Sequence, residues 1–106
     1  MPRNSRDNSL ERFMQVRKLA KTYLLKPRYQ YLDLENQSIR IKRNMKTIGK
    51  IDKACAELIE PYKTIFNNTF FETKDLHWWK GFYSKTTFYR LREQAIKTFL
   101  MAYENL

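Results

Sequence analysis

The chain has 106 residues, with 21 Lys+Arg against 11 Asp+Glu and a net charge of +10. That length suits one domain with a modest core, and the single cysteine, Cys55, excludes an internal disulfide framework. No apolar run approaches the roughly 20 residues of a transmembrane helix, the polar first residues lack a signal-peptide core, and the basic balance points to an anionic partner.

With only 2 Gly and 3 Pro, and apolar residues recurring at three- and four-residue intervals, the pattern predicts an all-α fold of about five helices. Residues 1–7 read as a disordered basic arm. Asn8 or Ser9 caps a first helix whose apolar stripe is Leu10, Phe13, Met14, Arg17, Ala20 and Leu24. Pro27 ends that helix or opens the next, which begins near Arg28.

From Tyr31 the spacing turns heptad-like, through Leu34, Ser38, Ile41, Met45, Ile48, Asp52, Cys55, Ile59 and Tyr62. Gly49 interrupts the seam, and Asp52 is suited to cap a new helix after it. The preferred reading is a break at 47–51 and a third helix from Asp52 to about Asn67; a single long helix is the alternative. The seam suits either an intramolecular hairpin or a homodimer interface within 28–66. Cys55 reads as a small core residue of an intracellular protein, expected in the cytoplasm of a bacterial host cell.

Thr73 is a candidate cap for a short fourth helix, Lys74 to Lys80. Gly81, Phe82 and Tyr83 then turn the chain, and Ser84 caps a fifth helix running to about Tyr103. The organisation expected is therefore a basic arm at 1–7, a helical and coiled-coil-like region at 8–50, and a DNA-binding region at 51–106.

Chemistry is sparse. One His and one Cys cannot furnish a zinc site of protein ligands, and two isolated glycines cannot form a phosphate loop. We expect no catalytic residue, metal or cofactor, and read the lone His77, beside Trp78, as a packing or surface residue.

The last quarter has the layout of a helix-turn-helix: an aromatic segment, a Gly turn, and a capped basic helix that is half apolar. Phe88, Leu91, Ala95 and Phe99 share one face. Thr86, Arg90, Glu93 and Lys97 lie opposite, flanked by Lys85 and Tyr89. In a recognition helix the first turns meet base edges. Thr86 and Thr87 would offer hydroxyls and methyls, and Arg90 would fork onto a guanine. Lys85, Tyr89 and Arg92 would hold phosphates, with Lys80 and Lys74 from the preceding helix. The charge is uneven: residues 1–50 carry a net +9, residues 51–70 carry −1 and residues 71–106 carry +2.

Residues Ile51 to Leu106 resemble the C-terminal half of the phage late-transcription regulators of Gram-positive bacteria, the ArpU/RinA/LtrC-type group. The resemblance is carried by the small-apolar run from Ile51 to Ile65. It is carried also by Ser84-Lys85-Thr86-Thr87-Phe88-Tyr89-Arg90-Leu91-Arg92, followed by Ala95 and Phe99. Tyr23 to Tyr29 resemble the group's N-terminal helical region. The segment Leu76-His77-Trp78-Trp79-Lys80 departs from the group by placing Trp where aliphatic residues are usual.

The resemblance implies a sigma-region-4-like helix-turn-helix that binds double-stranded DNA at a late promoter, with RNA polymerase as a further partner and packaging, structural and lysis genes as targets. It gives Ser84, Thr86, Thr87, Tyr89 and Arg90 a DNA-contact role by position. The expected function is thus a phage or mobile-element transcriptional regulator acting as a homodimer away from membranes. The alternatives are a small terminase subunit that binds phage DNA and an anti-repressor-like modulator that binds protein.

Overall fold

A computed structural model of the chain describes residues 5–29, 38–72 and 75–106. Among them are five α-helical segments, one 3-10 turn and no strand: α1 Ser5–Tyr23, α2 Lys26–Tyr29, α3 Ile39–Cys55, α4 Tyr62–Phe70, a 3-10 turn at Trp78–Gly81, and α5 Lys85–Glu104. The all-α expectation holds.

Helix α5 is the element on which the others converge, packing against α1, α3 and α4. The main core gathers Val16 and Ala20 from α1, Ile51 and Ala54 from α3, Phe66 and Phe70 from α4, and Ala95, Ile96, Phe99 and Leu100 from α5. Phe66 stacks on Phe99 with ring centroids 4.6 Å apart, an aromatic pairing that adds to plain area burial. A second, smaller cluster lies at the N-terminal end of α5, where Ile65, Trp79 and Phe88 are buried.

Several expected boundaries are corrected. Helix α1 starts by Ser5, so Asn8 and Ser9 lie inside it and do not cap it; residues 1–4 of the expected arm lie outside the described residues. The inward face of α1 is Phe13, Val16, Leu19, Ala20 and Tyr23. Leu10 and Met14 of the expected stripe are 64% and 52% exposed. The true face is rotated by roughly a quarter turn from that stripe, at 100° per residue. Ser9 and Arg12 both bond α5 through Glu93, contacts that accord with this rotation.

Helix α3 runs unbroken through Gly49, and Asp52 is part of it rather than a cap. Asp52 instead accepts hydrogen bonds from the Tyr23 hydroxyl at 2.7 Å and the Lys26 ammonium at 2.9 Å. The chain leaves the helix only after Cys55. Glu57 N–H bonds to Ala54 O and Leu58 N–H to Cys55 O, tightening the exit so that Leu58 enters the core. Pro61, which lacks an N–H, then stands at the N-cap of α4, where no donor is missed.

Part of the heptad-like seam packs within the chain, while Ile59 is 71% exposed. Ile48 is buried, Cys55 and Tyr62 pack against the main core, and Met45, Ile48 and Asp52 line a small cleft with Lys26 and Tyr29 of α2. Tyr31 and Leu34 lie outside the described residues. Burial pushes the Cys55 thiol up to about 11, in keeping with a packing role. No helix among the described residues is long and apolar enough to cross a membrane.

Candidate nucleic-acid interface

Ser84 sits in extended backbone, φ −68° and ψ 160°, and its hydroxyl accepts from Thr87 N–H. This is the N-cap geometry that satisfies one of the free donors of a first turn, and it starts α5 at the expected residue. The Ser84 hydroxyl also bonds Thr87 Oγ1 at 2.9 Å. Ser84 and Thr87 are therefore engaged with each other in the cap.

The end of α5 that carries the cap is braced by aromatic rings. Trp79 lies parallel to Phe88, with ring centroids 4.7 Å apart and 7° between the planes, while Trp78 meets Phe88 edge-on at 5.8 Å. The Trp residues, the departure from the resembled group, thus pack on Phe88. The helix expected at 74–80 is in fact a single 3-10 turn at Trp78–Gly81; Thr73 and Lys74, its expected start and a phosphate contact, lie outside the described residues. Fourteen residues, 71–84, separate α4 from α5, whereas the compact motif uses a turn of about three or four. The described residues thus do not form the compact helix-turn-helix expected; the aromatic segment and Ile65 of α4 brace the first turns of α5.

Apart from Ser84 and Thr87 in the cap, the expected contact residues among those described divide into two groups. Lys80, Lys85, Thr86, Arg90 and Lys97 are exposed. Thr86, Arg90 and Lys97 follow one outward stripe along α5, opposite the buried Phe88, Ala95 and Phe99. That part of the expected face is assembled.

Tyr89 and Arg92 form the second group. The Arg92 guanidinium lies 4.6 Å from the ring centroids of both Phe13 and Tyr89, a pair of cation–π contacts. Burial pulls its pKa below the ordinary arginine value. Arg92 therefore fastens α5 to α1, and Tyr89, 40% exposed, supports it. Glu93 was expected on the outward face but turns to α1, where Ser9 Oγ donates to it at 2.6 Å and Arg12 Nε at 2.7 Å. Two guanidinium nitrogens of Arg12 converge on the Glu93 carboxylate, which fixes geometry as well as charge. Sequence reasoning missed Arg12 and Phe13 as supports of the site; only the pairing of α1 with α5 reveals them.

A cleft of about 330 Å³ opens beside this support, between Phe13, the 75–79 segment and the first turns of α5. Exposed His77 lines it, with its backbone N–H bonded to Asp75 and its ring 6.3 Å from that of Trp79 at a steep angle. The outward face of α5 thus presents hydroxyl, guanidinium and ammonium groups from a braced, capped helix. That chemistry suits base edges and phosphates.

No family model matches the chain, and neither a curated protein nor a solved structure matches it. The resemblance to late-transcription regulators therefore rests on its motif residues alone.

Proposed function

We propose that the protein is a non-enzymatic regulator that binds double-stranded DNA, with α5 as its recognition helix. The observation that carries this reading is the outward stripe of Thr86, Arg90 and Lys97 on a Ser84-capped helix whose opposite face is locked by Phe88, Ala95 and Phe99. A helix entering the major groove needs such a pairing of a rigid inner face with donors near its first turns. Lys80 and Lys85 flank that end and are suited to phosphates, whereas Arg92 and Tyr89 act as supports. The resemblance extends the proposal to a phage or mobile-element activator acting at a late promoter.

A single helix reads few bases, so the active form would be a homodimer. Ile48, Cys55 and Tyr62 of the seam pack inside the chain, and Ile59, 71% exposed, remains as apolar seam surface for a dimer.

The direct test is fluorescence anisotropy with duplex DNA from upstream of the element's packaging genes. Binding should weaken steeply between low and moderate salt, because each phosphate neutralised releases counterions. Binding that ignores salt, or no binding to any duplex at low salt, would remove the DNA reading. The anti-repressor-like alternative would then take its place.

A further inference from the structure

Most of the positive charge lies away from α5, and the fold collects much of it on α3. This helix carries six basic residues, Arg40, Lys42, Arg43, Lys46, Lys50 and Lys53, against one acid, Asp52. At 100° per residue, Lys42, Arg43, Lys46, Lys50 and Lys53 fall within an arc of about 100°. Ile48 and Ile51 point to the other side and are buried. Lys42, Arg43, Lys46 and Lys53 are exposed, and the Lys50 ammonium lies 4.4 Å from the Tyr103 ring centroid. Asp52, which would otherwise neutralise part of the row, lies off that arc and is taken by Tyr23 and Lys26.

We infer that the outer face of α3 is a second DNA-binding surface, one that grips the phosphate backbone without reading bases; the inference rests on the duplex-DNA reading above. Two features of the row carry it. Lys42–Lys46 and Lys46–Lys50 are like-charged at i,i+4, and Arg43–Lys46 and Lys50–Lys53 at i,i+3. Each such pair weakens a helix, so the row works against the fold that displays it, and a polyanion would relieve those repulsions. The row also contains no apolar residue between Lys42 and Lys53, and a single exposed apolar residue, Ile39, precedes it on that face. A membrane-surface helix needs apolar side chains beside its cations, and a protein interface needs buried anchors. Phosphates need neither.

The dimensions agree. From Lys42 to Lys53 the row spans about 16 Å at about 1.5 Å per residue, enough to reach phosphates on both sides of a major groove about 12 Å wide. Its far end adjoins the outward side of α5, since Lys53 lines one groove with Thr98 and Met101.

The test compares the salt dependence of duplex binding in three proteins: wild type, the α3 variant Lys42→Gln/Arg43→Gln/Lys46→Gln/Lys53→Gln, and the α5 variant Thr86→Ala/Arg90→Ala. Each phosphate contact contributes about 0.9 to the slope of log affinity against log salt. The α3 variant should therefore lose about 3 to 4 from the slope, equally on cognate and random duplex, while the α5 variant keeps most of the slope and loses preference for the cognate site. An unchanged slope in an α3 variant of wild-type circular dichroism would overturn the inference and leave the DNA reading standing. Wild type that binds acidic vesicles or an acidic protein but no duplex would overturn both. If the quadruple variant fails to fold, Lys46→Gln alone carries the test, with an expected slope loss of about 0.9 against none.

Discussion

Gly49 shows how a residue's sequence signal can diverge from its structural place. It has no positive φ, and a Cβ built on it meets nothing within 4 Å, so neither strain nor crowding requires glycine there. Inside a helix, glycine costs about 0.8–1 kcal/mol relative to alanine. Gly49→Ala should therefore stabilise the protein by about 1 kcal/mol in urea denaturation; a loss of stability would mean that α3 needs a hinge at this point. Gly81 likewise lacks positive φ and has open space at its Cβ, so the turn before Ser84 is made without glycine's special freedom.

Asp52 gives a prediction of opposite character. Burial works against its charge, yet the hydrogen bonds from Tyr23 and Lys26 outweigh that and hold its carboxyl below the ordinary 3.8. The sign comes from linkage: a depressed folded pKa contributes stability in full above the unfolded value, and that stability is lost as pH falls through the folded one. Lys26 runs the other way. Its hydrogen bond to Asp52 raises its pKa above 10.5, so its share is present below that value and lost at more alkaline pH. With side chains 42% and 43% exposed, the pair is worth less than about 1 kcal/mol after solvent screening. Asp52→Asn should lower the melting temperature slightly at pH 7 and flatten its fall below about pH 4. An acid limb identical to wild type would show that the pair contributes nothing.

At the scale of elements, what was legible in the sequence was local. Ser84 is a small hydroxyl residue ahead of an amphipathic run, and the cap depends on its immediate neighbours, so both the start of α5 and its buried face come from spacing. The exit from α3 depends on Leu58 finding a core built by α4 and α5, and no local signal marks it. The face of α1 was misjudged for the same reason. Leu10 and Met14 are as apolar as Val16 and Leu19, and only contacts with other elements, Arg12 to Glu93, Phe13 to Arg92 and Tyr23 to Asp52, distinguish the two stripes. The replacement of a helix by a 3-10 turn at 78–81 depends on Trp79 lying flat on Phe88, a tertiary contact.

That stack makes a clear prediction. Phe88 is buried between Trp78 and Trp79, so Phe88→Ala should cost about 3–5 kcal/mol through the cavity it leaves. Phe82, 75% exposed, should cost no more than about 0.5 kcal/mol when replaced by Ala. Chemical denaturation of both variants checks the contrast; comparable losses would mean that the aromatic bracing of α5 is not organised around Phe88.

For the whole molecule, the division of charge is the main guide. The N-terminal half supplies most of the excess, part of which lies outward along α3, while α5 holds few cations but sets them on a braced face. Base reading and backbone grip would then belong to different helices, and substitutions on each should have different signatures. The half of the candidate site that was legible in the sequence, Thr86, Arg90 and Lys97, is the half governed by helix periodicity. Arg92, Tyr89 and Glu93 share that periodicity, yet their roles depend on α1, which spacing within α5 does not reveal.

The most direct measurement is the affinity of wild type, Arg90→Ala and Lys80→Ala for a footprinted site and for random duplex at one salt concentration. A base contact discriminates and a phosphate contact does not. Arg90→Ala should lose about 1–3 kcal/mol on the specific site and much less on random DNA, whereas Lys80→Ala should weaken both about equally. An Arg90→Ala/Thr86→Ala protein with unaltered fold and unaltered footprint would contradict the account and assign α5 a purely structural role.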